Sequence, residues 1–185
     1  MLSCAAVKRA MVATVVTASL LAACSTGDDG GSGTTTRPKA THTTMSPDEA
    51  AVRKVAEEWR QALLRLGRNP NSEDPDLRRY LTGDLLGRYQ ADIARQAKEA
   101  VVVRAPRNSV TKYTIEQVRV DGDTATLQEC SVNDLVVVSK RTGKVLNDEV
   151  KTRELKTVAK KVNGQWKLSM RSTSREWQGV AGCAG

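Results

Sequence analysis

The side chains able to do chemistry are few and far apart. The chain has one histidine and four cysteines, Cys4, Cys24, Cys130 and Cys183, with no C-x-x-C pair among them. His42 lies among Thr34 to Thr36, Thr41, Thr43 and Thr44, a poor setting for a group that must be held against a reacting atom. With no histidine after position 42, general acid–base chemistry would fall to a carboxylate of strongly raised pKa beside a phenol or a second acid. Tyr89 and Tyr113 fall on apolar faces, but the acids do not converge on them. Glu116 sits where a strand pattern changes phase, and Glu129 and Glu154 read as outward or ambiguous. No catalytic residue and no cofactor are expected, and a metal site such as zinc needs more ligands than these cysteines supply.

Positioning such groups falls to the stretch from 110 to about 175, which reads as four or five strands of one antiparallel meander. Two-residue hairpin loops need positive φ and so select Asp-Gly and Asn-Gly. Asp121-Gly122 separates 114–120 from 123–130, Asn163-Gly164 separates a run ending at Val162 from 165–171, and Thr142-Gly143 marks a longer connection. In the last strand Trp166, Leu168 and Met170 alternate with Gln165, Lys167, Ser169 and Arg171, one face covered and one wet. Ala125 and Leu127 alternate with Thr124, Thr126 and Gln128. Tyr113 and Ile115 share a parity that Val118 and Val120 do not, which predicts a bulge near Glu116-Gln117. The segment 149–162, with Lys151, Arg153, Lys156, Lys160 and Lys161, reads as a twisted or edge strand guarded by charge.

Ahead of the sheet, Ser46-Pro47-Asp48-Glu49 combines a serine N-cap, proline at the first helical position and glutamate at the third. Val52, Val55, Ala56, Trp59, Ala62, Leu63 and Leu66 follow at spacings of three and four as one apolar stripe, and Gly67 suits a C′ position. A loop over 69–75 and a short helix over 76–80 come next. A third helix, capped by Thr82 or Asp84 and running to Ala100, sets Leu86, Tyr89, Ile93 and Ala97 on one face. Helices before a curved antiparallel sheet make an α+β domain with the helices on the concave face. About 140 residues suffice for one core. With no phenylalanine and 3% aromatics, that core must be mostly Val, Leu and Ala.

The first 23 residues have the form of a secretory signal peptide, with Lys8 and Arg9, an apolar run from Ala10 to Leu21, and small residues at the end. Leu21-Ala22-Ala23-Cys24 resembles the bacterial lipobox, in which the cysteine receives diacylglycerol, the chain is cut before it, and the new amino group is usually acylated. Cys24 is thus the expected lipidation site, with palmitate-type chains holding the protein to the cell membrane on its extracytoplasmic face. The alternative is an ordinary secreted protein cut near Ala23, with Cys24 a free thiol, which is odd in an oxidising compartment. Residues 24–45 read as a flexible Gly/Ser/Thr-rich tether with a reach of roughly 25 Å. The domain then covers 46–185. The formal charge of +8 loses Lys8 and Arg9 with the signal, and Asp28, Asp29, Arg37 and Lys39 cancel in the tether, so the domain carries about +6. That favours an anionic membrane or envelope polymer; nucleic acid is not expected. With Cys4 lost and Cys24 acylated, Cys130 and Cys183 remain for each other. Closing so long a loop would stabilise by roughly 4 kcal/mol and would tie the tail 179–185 to the second strand.

The order of elements, with Trp59, Tyr80-Leu81-Thr82-Gly83, the hairpin at 121–126, Cys130, the Gly143 turn, Asn163-Gly164-Gln165-Trp166 and Cys183, resembles uncharacterised exported lipoproteins of actinobacteria with an NTF2-like (cystatin-like, cone-shaped) domain. The resemblance implies a helix-covered half-barrel with a cavity. It implies no chemistry, because such folds serve ketosteroid isomerase-like and polyketide cyclase-like enzymes as well as non-catalytic binding and assembly domains. Trp59, Leu63, Tyr89, Tyr113, Trp166 and Leu168 are the expected cavity lining, or else simply fill the core. The function expected is a non-catalytic, membrane-anchored envelope lipoprotein that binds a small apolar ligand or docks an envelope protein. The alternatives are an isomerase- or hydrolase-like cavity enzyme, which requires an inward Asp or Glu beside Tyr89 or Tyr113, and an accessory subunit of an envelope transporter docking along 149–162.

Overall fold

The computed structural model describes residues 45–183. The expected signal peptide, the expected lipidation site Cys24, His42 and all of the expected tether but Met45 lie outside them. The Ser46 hydroxyl accepts the Glu49 N–H at 3.1 Å, and Pro47 opens α1 (Pro47–Arg68). Gly67 does not end this helix as expected. It is buried inside the last turn, where a Cβ would stand 3.0 Å from the Cβ of Val103, so the missing side chain lets strand β1 (Val101–Arg104) cross close beneath. Asp74 caps α2 (Pro75–Tyr80), and Thr82, whose N–H donates to the Leu168 carbonyl at 2.9 Å, precedes α3 (Gly83–Lys98).

Six further strands follow: β2 (Lys112–Asp121), β3 (Thr124–Asn133), β4 (Val136–Ser139), β5 (Val145–Asn147), β6 (Lys151–Val162) and β7 (Gln165–Gln178). They form two antiparallel sheets, β1-β4-β5 and β2-β3-β6-β7, rather than the single meander expected. Asp134, only 6% exposed, explains the break. Its carboxylate accepts the Ser109 hydroxyl at 2.6 Å, the Val110 N–H at 2.6 Å and the Thr111 hydroxyl at 2.5 Å. Those bonds lock the entry of β2 against the exit of β3 and turn the chain into β4, where Val138 pairs with Val102 of β1.

Strand β6 is an inner strand, not an edge. Lys156 and Lys160 stand exposed on its outer face while Thr157 and Ala159 are buried on the other, so the charges guard a face. The phase change in β2 is a register shift between Ile115 and Gln117, where the sequence alternation breaks. Strand β7 carries two shifts against β6: Leu168 pairs with Ala159 and Met170 with Val158, leaving Ser169 extra, and Ser174 is extra in the same way. The first of these inverts the faces expected beyond Leu168. Met170 is 43% exposed, and Arg171 takes the inner side.

The packed core joins Trp59 and Leu66 of α1, Leu77 and Leu81, and Leu127 and Leu168 of the larger sheet. Every buried hydrophobic residue described lies between Val52 and Leu168, so the domain carries its own core and has what it needs to fold alone. The sheets do not close into a barrel: β2 and β7 remain edges. Beyond β7 the Gly179 N–H donates to the Val150 carbonyl at 2.8 Å and its carbonyl accepts the Thr152 hydroxyl at 2.8 Å. Gly182 lies against the Trp177 ring where a Cβ would approach to 2.6 Å, and Cys183 meets Cys130 as a disulfide-capable pair with Cα atoms 5.8 Å apart. Among the described residues no helix is long and apolar enough to cross a membrane.

Candidate functional site

Alternation in β3 does not stop at Leu127. Ala125, Leu127 and Glu129 all face inward, and Glu129 is 1% exposed. This corrects the expected outward or ambiguous placement of Glu129, and the signal was the simple period of two that its apolar neighbours already showed. Glu129 Oε1 accepts the hydroxyl of Tyr113 from β2. Its Oε2 accepts the Thr157 hydroxyl at 2.8 Å from β6 and the Arg171 guanidinium at 3.0 Å from β7. Three strands thus deliver three donors to one acidic group, which is how a buried carboxylate offsets its desolvation. Thr157 and Arg171 are register partners, so the Ser169 bulge is what brings the arginine here.

Above this collar the sheet and helices diverge around a cavity of about 670 Å³. Leu63, Leu64, Leu85, Ile93, Val103 and Leu135 give it apolar wall. Arg60, Tyr113 and Arg171 line it together: the Arg60 guanidinium lies 4.6 Å from the Tyr113 ring centre and that of Arg171 5.7 Å. Burial first, and then the charge of Glu129, push the Tyr113 phenol far above its usual range, so it remains a proton donor. Burial opposes the charge of Arg171, but Glu129 and the nearby tyrosines more than offset it and its pKa is held up. Burial pulls that of Arg60 down.

Of the six residues expected to line the cavity, Leu63, Tyr89 and Tyr113 do. Trp59, Trp166 and Leu168 belong to the packed core instead. Trp59 sits edge-to-face on Tyr89 with centroids 4.8 Å apart, and the Trp166 indole N–H donates to Asp48 at 2.9 Å, binding the sheet to the first turn of α1. Sequence reasoning missed Arg60 and Arg171. Arg60 follows the apolar stripe by one residue, and nothing in the sequence marks the bulge that turns Arg171 inward. Glu116 and the two sulfurs lie within 4.8 Å of one another. With the sulfurs bonded to each other, no thiolate there is left for a metal.

No family model matches the chain, and no curated protein matches it. Solved structures do. The intermembrane space region of the chloroplast protein ARC6 matches at a TM-score of 0.54 with 17% identity over 70% of this chain and 97% of that one. A protein from Kribbella flavida matches at 0.50 with 15% identity over 70% and 93%. A structure described as an NTF2-like protein, from Cytophaga hutchinsonii, lies further off, at 0.42 with 20% identity over 65% and 95%. The likeness is one of fold alone. The class is α+β, helices followed by open antiparallel sheets, with NTF2-like proteins among the structural neighbours.

Proposed function

We propose that the chain is a non-catalytic envelope lipoprotein, held to the extracytoplasmic face of the cell membrane through Cys24, whose domain binds a small ligand in the cavity above the Glu129 collar. The observation that carries the binding reading is the cavity itself. At about 670 Å³ it falls within the span of small-molecule sites and combines an apolar wall with a few convergent polar groups. The anchor and the tether rest on the sequence of residues 1–45.

The alternative of a carboxylate enzyme called for an inward acid beside Tyr113, and Glu129 answers that description. Its environment argues against a catalytic base, however. Both oxygens already accept hydrogen bonds from the protein, Arg171 holds the charge, and Glu129 does not line the cavity. A general base must reach the proton it takes. The transporter-subunit alternative named 149–162 as a docking edge, and the inner position of β6 removes that edge.

Native mass spectrometry of residues 46–185, exported through an oxidising compartment and purified without detergent, tests the binding reading. A co-purifying small molecule at one per chain is expected. A clean apo mass that persists after incubation with an envelope lipid extract would contradict it.

A further inference from the structure

The charges lining the cavity do not cancel, and the residues left over point to the ligand. Glu129 neutralises Arg171. Asp92 is paired with Arg95 at 2.8 Å, and Glu176 is shared between Arg153 at 2.7 Å and Lys151 at 3.2 Å. Arg60 has neither a carboxylate within salt-bridge distance nor a hydrogen-bond acceptor among the described residues; its one close partner is the face of the Tyr113 ring. That ring cannot offer its oxygen proton elsewhere, since the hydroxyl is committed to Glu129. Half-buried in the cavity wall, Arg60 is a cation without a counter-ion. A second cation, Arg88, lines the same cavity with its side chain exposed and no carboxylate partner among the described residues.

Resting on the ligand-binding reading above, we propose that the cavity takes a monoanionic amphiphile, a carboxylate head on an alkyl chain, with the head against Arg60 and the chain along Leu63, Leu64, Leu85, Ile93 and Val103. The geometry excludes the other simple classes. A cation would meet the unpaired Arg60 and Arg88, while the acids of the wall, Asp92 and Glu176, are already taken by Arg95 and by Arg153 and Lys151. A neutral apolar molecule would cover Arg60 without balancing it, leaving an uncompensated charge further from water. A highly charged anion would find one free cation in the wall and one exposed, and would lose its water against leucines. A single carboxylate matches the fork of donors that a guanidinium presents. The tail gains from burial on the leucine wall, and the head fixes which end enters.

The test titrates residues 46–185 with myristate and, separately, with myristyl alcohol, following binding by calorimetry, in the wild type and in Arg60→Gln and Arg60→Lys. The wild type should bind the acid roughly tenfold or more tighter than the alcohol, the worth of one hydrogen bond to a charged group. Arg60→Gln should bring the two within about twofold, and Arg60→Lys should keep part of the preference, as a point charge without the fork. Equal binding of acid and alcohol by the wild type overturns the anion inference while leaving a ligand cavity in place. An acid preference that survives Arg60→Gln overturns the assignment to Arg60. Failure of both probes to bind the wild type overturns this inference, and with an apo mass in the lipid-extract experiment the binding reading falls too.

Discussion

Each long strand of the larger sheet runs from a dry half into a wet one, and the same elements serve both. On β2, Val118 and Val120 pack on the core while Thr111, just before the strand, and Tyr113 line the cavity. On β3, Ala125 and Leu127 belong to the core and Ser131 and Asn133 to the cavity; on β6 the division falls between Ala159 and Leu155. Helix α1 divides around its circumference instead, with Trp59 and Leu66 turned to the core and Arg60, Leu63 and Leu64 to the cavity. Glu129, Thr157, Tyr113 and Arg171 stand at the boundary. A continuous apolar filling would have extended the core through the whole domain. The collar of paired charge and hydroxyl ends the core at a fixed level and gives the space above it a polar floor.

Breaking that boundary should have the largest effect. Glu129→Leu strands the Arg171 cation without its partner and is expected to destabilise by about 3–5 kcal/mol in urea unfolding. The double variant Glu129→Leu with Arg171→Met removes both charges and should recover more than half of the loss. A double variant as unstable as the single one would mean that the collar acts through shape, not charge.

The two halves should also differ in their tolerance of truncation. Trp59→Ala, in the packed half, is expected to cost about 3–5 kcal/mol. Leu63→Ala leaves space that opens onto an existing cavity and should cost only about 1 kcal/mol. Similar losses at both positions would erase the distinction between core and chamber.

On the outer face, replacing Cys183 with Ser frees the tail and is expected to lower stability by about 2–4 kcal/mol under oxidising conditions, with no change under reducing ones. Asp134 supplies the smallest and most conditional effect. Burial alone would raise its pKa, but hydrogen bonds from Ser109, Thr111 and the Val110 N–H more than offset this and hold it below the ordinary aspartate value. A depressed folded pKa contributes stability that is present above the unfolded value and disappears as pH falls through the folded one. Asp134→Asn should therefore cost about 1–2 kcal/mol near neutral pH, with the difference from the wild type shrinking on acidification. A difference that grows on acidification would contradict the assignment.

Much of the architecture was legible because turns and caps are local. Asp121-Gly122, Asn163-Gly164 and the Ser46-Pro47-Asp48-Glu49 start each act within four residues, and the break in β2 alternation showed where its register shifts. The split into two sheets was not legible, because it depends on Asp134 reaching back to Ser109 and Thr111 across the chain. The site divided along the same line. Tyr89 and Tyr113 followed from periodicity, and Glu129 would have followed had the parity of Ala125 and Leu127 been extended by two residues. Arg171 depends on an extra Ser169 that no composition marks, and β-bulges of this kind turn a strand's faces over without any hydrophobic signature.

The division into core and chamber is tested most directly by methyl NMR of residues 46–185 titrated with myristate. Shifts are predicted at Leu63, Leu64, Leu135 and Leu155, which line the cavity, while Leu66, Leu77, Leu127 and Leu168 remain in place. Shifts centred on Leu127 and Leu168, or none at the cavity leucines, would contradict the account.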